Sequence, residues 1–332
     1  MSQDYAALAS VDHQDGGDVT APLLTRLAAE AAGTFIIVLG ILATSTFAAL
    51  VNASGLAVAL VAGALLAGSY AAFGRVSGGH FNPAVTLGST LAGRSSWGDL
   101  LPYWLAQFVG AAVSAVVVWA MIPHGYGTAI QAGENSVVVA RAANGFGAHS
   151  PVAVLSGGQI EFSLVAALLV EVIAAAVLVG IFLAVTRRAT GTPRTAAAGV
   201  LGVTFAGLFL VASPITNAGL NPARSLAANL FADSSALWGQ YWLFFVAPVV
   251  GAALAALFAR AFGTAGVAPA GVVIEEIEET YEIVPTPEDV TVNDAADAVV
   301  ADAAVADDAA GSGAPDGEVA PPQGSTPEKP QA

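Results

Sequence analysis

Six long apolar stretches dominate the chain, at approximately 24–50, 55–74, 100–122, 161–186, 196–214 and 238–262. About 20 predominantly apolar residues in helical form cross a bilayer, so each stretch predicts a membrane-spanning helix. Two shorter apolar runs, 81–92 and 220–231, are too short to cross. Each opens on the same triplet, Asn82-Pro83-Ala84 in the first and Asn221-Pro222-Ala223 in the second. Asparagine is a good helix cap and proline is favoured at the first helical position. The triplets therefore predict two half-helices that enter the membrane without spanning it.

The order is three spans with a half-helix between the second and third, then the same again. The halves also match in single residues. Glu30 and Glu171 lie 141 positions apart, and Asn82 and Asn221 lie 139 apart. An odd number of spans per half forces the second half to insert upside down. The expected fold is an all-α membrane protein, with six transmembrane helices and two re-entrant half-helices in an inverted 3+3 repeat, about 24–122 and 161–262. Such repeats place a site near the bilayer midplane, at their interface.

Charge is scarce where the spans lie. Of 332 residues, 56% are hydrophobic and 11% charged, against roughly 25% charged in soluble domains. Residues 21–270 hold six acids and nine arginines, so the net charge of −15 belongs to the ends. Acidic, disordered tails are expected at 1–22 and 266–332, flanking a membrane domain at 23–265. Val272 to Val284, where acids alternate with β-branched residues around Tyr281, reads as a solvated tail or as a short docking segment. No basic n-region precedes the first apolar stretch, so residues 27–50 read as a retained span and not as a signal peptide. There is no cysteine, which excludes disulfides, thiol catalysis and Cys-ligated metals.

Arg26, Arg75, Arg94, Arg187, Arg188, Arg194 and Arg260 fall on the side of the termini, and Arg141 on the other. The positive-inside rule then puts both termini in the cytoplasm of a plasma or inner membrane. The 123–160 connection, rich in Gly, Ser and Asn, becomes an external loop.

Irregular backbone inside a membrane must line a cavity or be buried. Gly78, Gly79 and Gly219, just before the triplets, allow close backbone approach there. Asn82 and Asn221 would offer amide donors at the centre, beside two helix N-termini of about +0.5 charge each. An intramembrane arginine such as Arg224 is costly and usually functional. Glu30 and Glu171 read either as proton-coupling groups or as structural braces, and His80 as a buried hydrogen-bonding residue in preference to a metal ligand.

With Ser77-Gly78-Gly79-His80-Phe81-Asn82-Pro83-Ala84-Val85-Thr86, Leu220-Asn221-Pro222-Ala223-Arg224-Ser225 and the paired glutamates in view, the chain resembles the aquaporin (major intrinsic protein) family over residues 24–262. The resemblance implies a passive channel for water or small neutral solutes, and a homotetramer with one pore per subunit. It also implies that Glu30 and Glu171 brace the re-entrant loops by accepting backbone N–H bonds. The family's filter positions fall on Ala62, Phe209, Ala218 and Arg224. Water-selective members usually carry an aromatic residue at the first and histidine at the second. This chain has alanine and phenylalanine, so a wider opening and a bulkier, non-bonding wall pull in opposite directions. Ser225, in place of the aspartate of glycerol facilitators, leans toward water; Phe244-Phe245 is a partial match to water channels and Asn229 a departure from them. Water is the expected solute, with glycerol, urea or ammonia the alternative. A proton-coupled transporter, a non-conducting membrane protein and an enzyme are the other classes weighed. The expected partners are water and the lipid bilayer, with no nucleic acid, cofactor or metal.

Overall fold

The computed structural model describes residues 21–50, 55–187, 192–232 and 234–262. The expected acidic tails lie outside them, apart from Ala21 and Pro22, as does the Val272 to Val284 segment. Six helices are long and apolar enough to cross a membrane. They are α1 (Leu23–Phe47), α2 (Gly55–Ser77), α4 (Trp97–Met121), α8 (Leu164–Val185), α9 (Arg194–Thr216) and α11 (Ser235–Phe262). The two half-helices are α3 (Pro83–Leu91) and α10 (Pro222–Asn229). The expected order holds, with ends shifted by a few residues.

The connection between α4 and α8 is more structured than its composition predicts. It carries three short helices, α5 (Tyr126–Ala129), α6 (Asn135–Ala140) and α7 (Pro151–Leu155). Gly147 N–H then bonds Phe162 O at 2.8 Å, closing the segment just before α8. Glycine and serine serve here as turn and cap residues: Gly125, Gly133, Gly147, Gly157 and Gly158 all have positive φ, and Ser150 caps α7.

The spans are apolar all round, and the apolar residues left outside include Leu60, Val116, Leu169, Val203 and Leu257. A soluble domain would bury such a belt, whereas lipid solvates it. Inside, association relies on close backbone approach at small residues. A Cβ on Gly63 of α2 would lie 2.3 Å from Gly202 O, and one on Gly202 of α9 would lie 2.7 Å from Gly63 O. Gly63 and Gly202 are 139 positions apart, the offset of the asparagines. Two repeat-equivalent residues that each press on the other lie on the pseudo-twofold axis relating the halves. The same symmetry sets the outer contacts. A Cβ on Gly110 of α4 would meet Ala31 O at 2.2 Å, and one on Gly251 of α11 would meet Val172 O at 2.4 Å.

Candidate functional site

Each half-helix begins at its asparagine. Asn82 is extended, and its side chain accepts from Ala84 N; Asn221 is extended and accepts from Ala223 N and Arg224 N. Pro83 and Pro222 follow at the first helical position, where no N–H is needed. Both asparagines, both prolines, Ala84 and Ala223 are buried.

The loops that deliver the asparagines are held by the two glutamates, each completely buried. Glu30 Oε1 accepts from Ser77 Oγ at 2.6 Å and His80 N at 3.0 Å, and Oε2 accepts from Phe81 N at 2.6 Å and Gln107 Nε2 at 2.8 Å. Glu171 Oε1 accepts from Thr216 Oγ1 at 2.6 Å and Gly219 N at 2.7 Å, and Oε2 from Leu220 N at 2.7 Å. Ser77 matches Thr216, His80 matches Gly219 and Phe81 matches Leu220, all at the offset of 139. The repeat therefore extends to individual hydrogen bonds. Phe81 and Leu220 also share left-handed backbone, with φ of 49° and 51°. Such conformations persist in bulky residues only where the surroundings over-determine them. The carboxylates supply that constraint by seizing consecutive N–H groups.

The halves differ at one brace. Gln107 of α4 donates to Glu30 and to Thr86 Oγ1, at 2.8 Å each. Phe244 of α11 lies against Gly219 in the second half, where a Cβ on Gly219 would sit 2.8 Å from both Glu171 Oε2 and the Phe244 ring. At the offset of 141 set by Gly110 and Gly251, Gln107 falls on Pro248 of α11, which has no side-chain donor. Gly79 plays the matching steric part in the first half, with φ of 72° and Tyr70 2.6 Å from an added Cβ; Gly78 beside it has φ of 95°. His80 contributes through its backbone N–H. Its ring packs between Tyr103 and Phe182, with centroids at 5.5 and 5.6 Å.

The two loops meet at the centre. Asn82 Nδ2 donates to Leu220 O at 2.9 Å and Asn221 Nδ2 to Phe81 O at 3.0 Å. An amide carries two N–H groups, so each asparagine keeps a second donor beyond this bond. Both asparagines line a cavity of about 20 Å³, walled by apolar side chains including Ile37, Leu66, Leu178 and Phe205. That is room for about one water across. On its other flank the cavity reaches His80 and Phe182, which also line a wider cavity of about 760 Å³ toward the start of α1.

Arg224 lies one turn into α10 and is 1% exposed. Its Nη1 donates to Asn144 Oδ1 and its Nη2 to Asn217 O at 3.0 Å. Nε has no partner among the described residues, and the guanidinium carbon stands 5.8 Å from the Phe209 ring centroid. Among the described residues no carboxylate pairs with it. Ala62, Phe209 and Ala218 are all buried in one cluster. The structure thus brings Phe209 to Arg224 and buries Ala62 and Ala218 in the same apolar cluster as Phe209.

Asn144 and Asn217 were not evident in the sequence as site residues. Asn144 Nδ2 donates to Thr216 O and Asn217 O at 3.0 Å each, while Asn217 Nδ2 returns bonds to Arg141 O at 3.0 Å and Ala143 O at 2.9 Å. Asn217 has φ of 61° and Ala218 of 53°, so the chain after α9 is bent sharply to meet this clamp. Asn144 is one of two asparagines in the 123–160 connection, and nothing local marks it. For Ser77 and Thr216 the signal was their shared offset of 139.

The chain matches the family model described as "Major intrinsic protein" over residues 19–259. It is 40% identical over 239 residues to a protein named Aquaporin Z from Brucella melitensis biotype 1, covering 71% of this chain and 96% of that one. It is 36% identical over 232 residues to Aquaporin Z from Photorhabdus laumondii subsp. laumondii, covering 69% and 93%. Among solved structures it is similar to an aquaglyceroporin from Plasmodium falciparum, with a TM-score of 0.58 and 21% identity, covering 72% of this chain and 96% of that one. At that identity the likeness concerns the fold alone.

Proposed function

The chain belongs to the major intrinsic protein family, and we propose that it is a passive transmembrane channel for water, driven by osmotic gradients and closed to protons and ions. The observation that carries this reading is the meeting of two asparagine-capped half-helices at a cavity of about 20 Å³. Water held by both amides presents its lone pairs to them, so its own hydrogens point outward and the proton wire is interrupted. The two helix N-termini add about +0.5 charge each and repel cations at the same point.

Arg224 is the charge and the donor of the filter, with Nε free of partners among the described residues. Asn144 and Asn217 fix its direction. Ala62, Phe209 and Ala218 form the rest of the ring. Glu30 and Glu171 act as braces: their oxygens are engaged by backbone N–H and neighbouring side chains. One feature favours the second reading, passage of small neutral solutes: two filter positions are alanine and none is histidine. The relatives named Aquaporin Z favour water.

The arginine bias puts the termini in the cytoplasm of a cell membrane. We take the assembly to be a homotetramer in a lipid bilayer, one pore per subunit. Stopped-flow light scattering on proteoliposomes tests the function: osmotic shrinkage must exceed that of protein-free vesicles, and equal rates would dismiss a water channel. Imposed glycerol, urea or ammonia gradients on the same vesicles rank the second reading.

A further inference from the structure

The wider cavity, about 760 Å³, opens at the end where α1 begins and leads down to His80. Arg26, Arg75, Arg94 and Arg194 line it, with Asp99 as the carboxylate on its wall. Asp99 is already committed, its Oδ2 lying 2.5 Å from Arg26 Nη1. Among the described residues, the guanidinium charges of Arg75, Arg94 and Arg194 are left without a carboxylate. Arg94 donates to a carbonyl, Leu183 O, which does not neutralise it. Two nitrogens of Arg194, Nε and Nη1, have no acceptor among the described residues. Ser95 and Ser96 add hydroxyls to the same wall.

We propose that this cavity binds a phosphate-class dianion, the chemistry shared by soluble phosphate and phosphomonoester lipid headgroups, and that the bound anion narrows the water path above His80. Guanidinium forks match tetrahedral oxyanions in geometry and charge. A low-dielectric cleft lined by one sign of charge concentrates counter-ions. Arg94 lies outside the spans, and its pKa is pushed below the ordinary arginine value, first by partial burial and then by the like charge of Arg187. Cations here are crowded, so an anion relieves repulsion as well as making bonds. The narrowing follows from position: His80 lines both this cavity and the central one.

The test uses the full chain in phosphatidylcholine vesicles. Water flux is measured in sodium phosphate and in sodium chloride, matched for ionic strength and osmolality. A second arm replaces soluble phosphate with phosphatidic acid in the bilayer. Calorimetric titration of phosphate into the detergent-solubilised chain gives binding directly. The flux arms rest on the water-channel reading, and the calorimetric arm does not. A chain that conducts no water in chloride would sink that reading and leave the binding result standing.

We expect binding with a dissociation constant of about 1–10 mM, and a fall in flux of roughly threefold or more when the anion occupies the vestibule. A response to phosphate alone assigns the site to soluble anions, and a response to phosphatidic acid to headgroups. Combining Arg94→Ala with Arg194→Ala abolishes the response, and Arg75→Ala weakens it if the double variant does not fold. No binding heat up to about 20 mM, with unchanged flux in both arms, overturns the site. Binding without any fall in flux overturns the narrowing.

Discussion

Asn82 and Asn221 hold each other's loops. Asn82 donates to the carbonyl of Leu220, and Asn221 to the carbonyl of Phe81, at 2.9 and 3.0 Å. Each thus fixes the residue immediately before its counterpart. The bond orients the amide, so the second N–H of each has a set direction. Asn82→Ala or Asn221→Ala removes a helix cap, about 1 kcal/mol, and a buried cross-loop bond, about 1 kcal/mol more. Thermal unfolding in detergent should show that loss, and proton leak should rise in vesicles. An Asn→Ala channel with unchanged stability and unchanged proton exclusion would refute the role given to the pair.

Arg224 is proposed as the fixed positive charge of the filter. Arg224→Val should keep water flux within a few-fold and raise cation or proton leak, because the charge barrier falls while the pore stays open. Asn144→Ala should reproduce part of that leak, since it frees Nη1 and loosens Asn217. Asn144→Gln, a longer amide, should restore less than the native asparagine. Wild-type selectivity in both Asn144 variants would show that the clamp is dispensable.

Glu30 and Glu171 are predicted to stabilise without coupling. Glu30→Gln or Glu171→Gln replaces one acceptor oxygen by an amide NH2 that faces backbone N–H donors, and bonds to charged groups are worth about 1.5–3 kcal/mol each. Folded yield and thermal midpoint should drop. Water flux per folded channel should remain passive and indifferent to a proton gradient. Flux that scales with that gradient in wild type, and is lost in Glu→Gln, would return the glutamates to the proton-coupling class.

Gln107 separates the two halves. Gln107→Leu should destabilise the first loop by about 1–3 kcal/mol, because Glu30 and Thr86 both lose a buried donor. Phe244→Gln in the second half should give no matching gain, since the Phe244 ring already packs against the Gly219 position. Equal tolerance at both positions in a thermal-shift comparison would contradict the assigned asymmetry.

What the sequence made legible follows from period and from repetition. Apolar runs long enough to span, the doubled triplets and the doubled glutamates are local patterns, and the topology follows from them. Gln107 was visible only as a polar residue inside an apolar span, with its partners 77 and 21 positions away. Asn144 and Asn217 join segments more than 70 positions apart, and no spacing rule connects a loop amide to an intramembrane arginine. The helices of the 123–160 connection are too short to leave a period. At the proposed filter the identity of Ala62, Phe209 and Ala218 was readable, while the contact of Phe209 with Arg224 came only from the fold.

The chain has no cysteine. Mercurial reagents should therefore leave water flux unchanged in stopped-flow assays. Inhibition reversed by added thiol would point to a different conducting species in the preparation.

The central claim, a pore that carries water and stops protons at the paired asparagines, is tested most directly by reading both fluxes on one batch of proteoliposomes. Osmotic shrinkage is followed by light scattering, and proton entry by an internal pH dye under an imposed pH gradient. The account predicts shrinkage well above protein-free vesicles, with a weak temperature dependence, while proton entry stays at the protein-free rate. Shrinkage at the protein-free rate, or water and proton fluxes rising together, would contradict it.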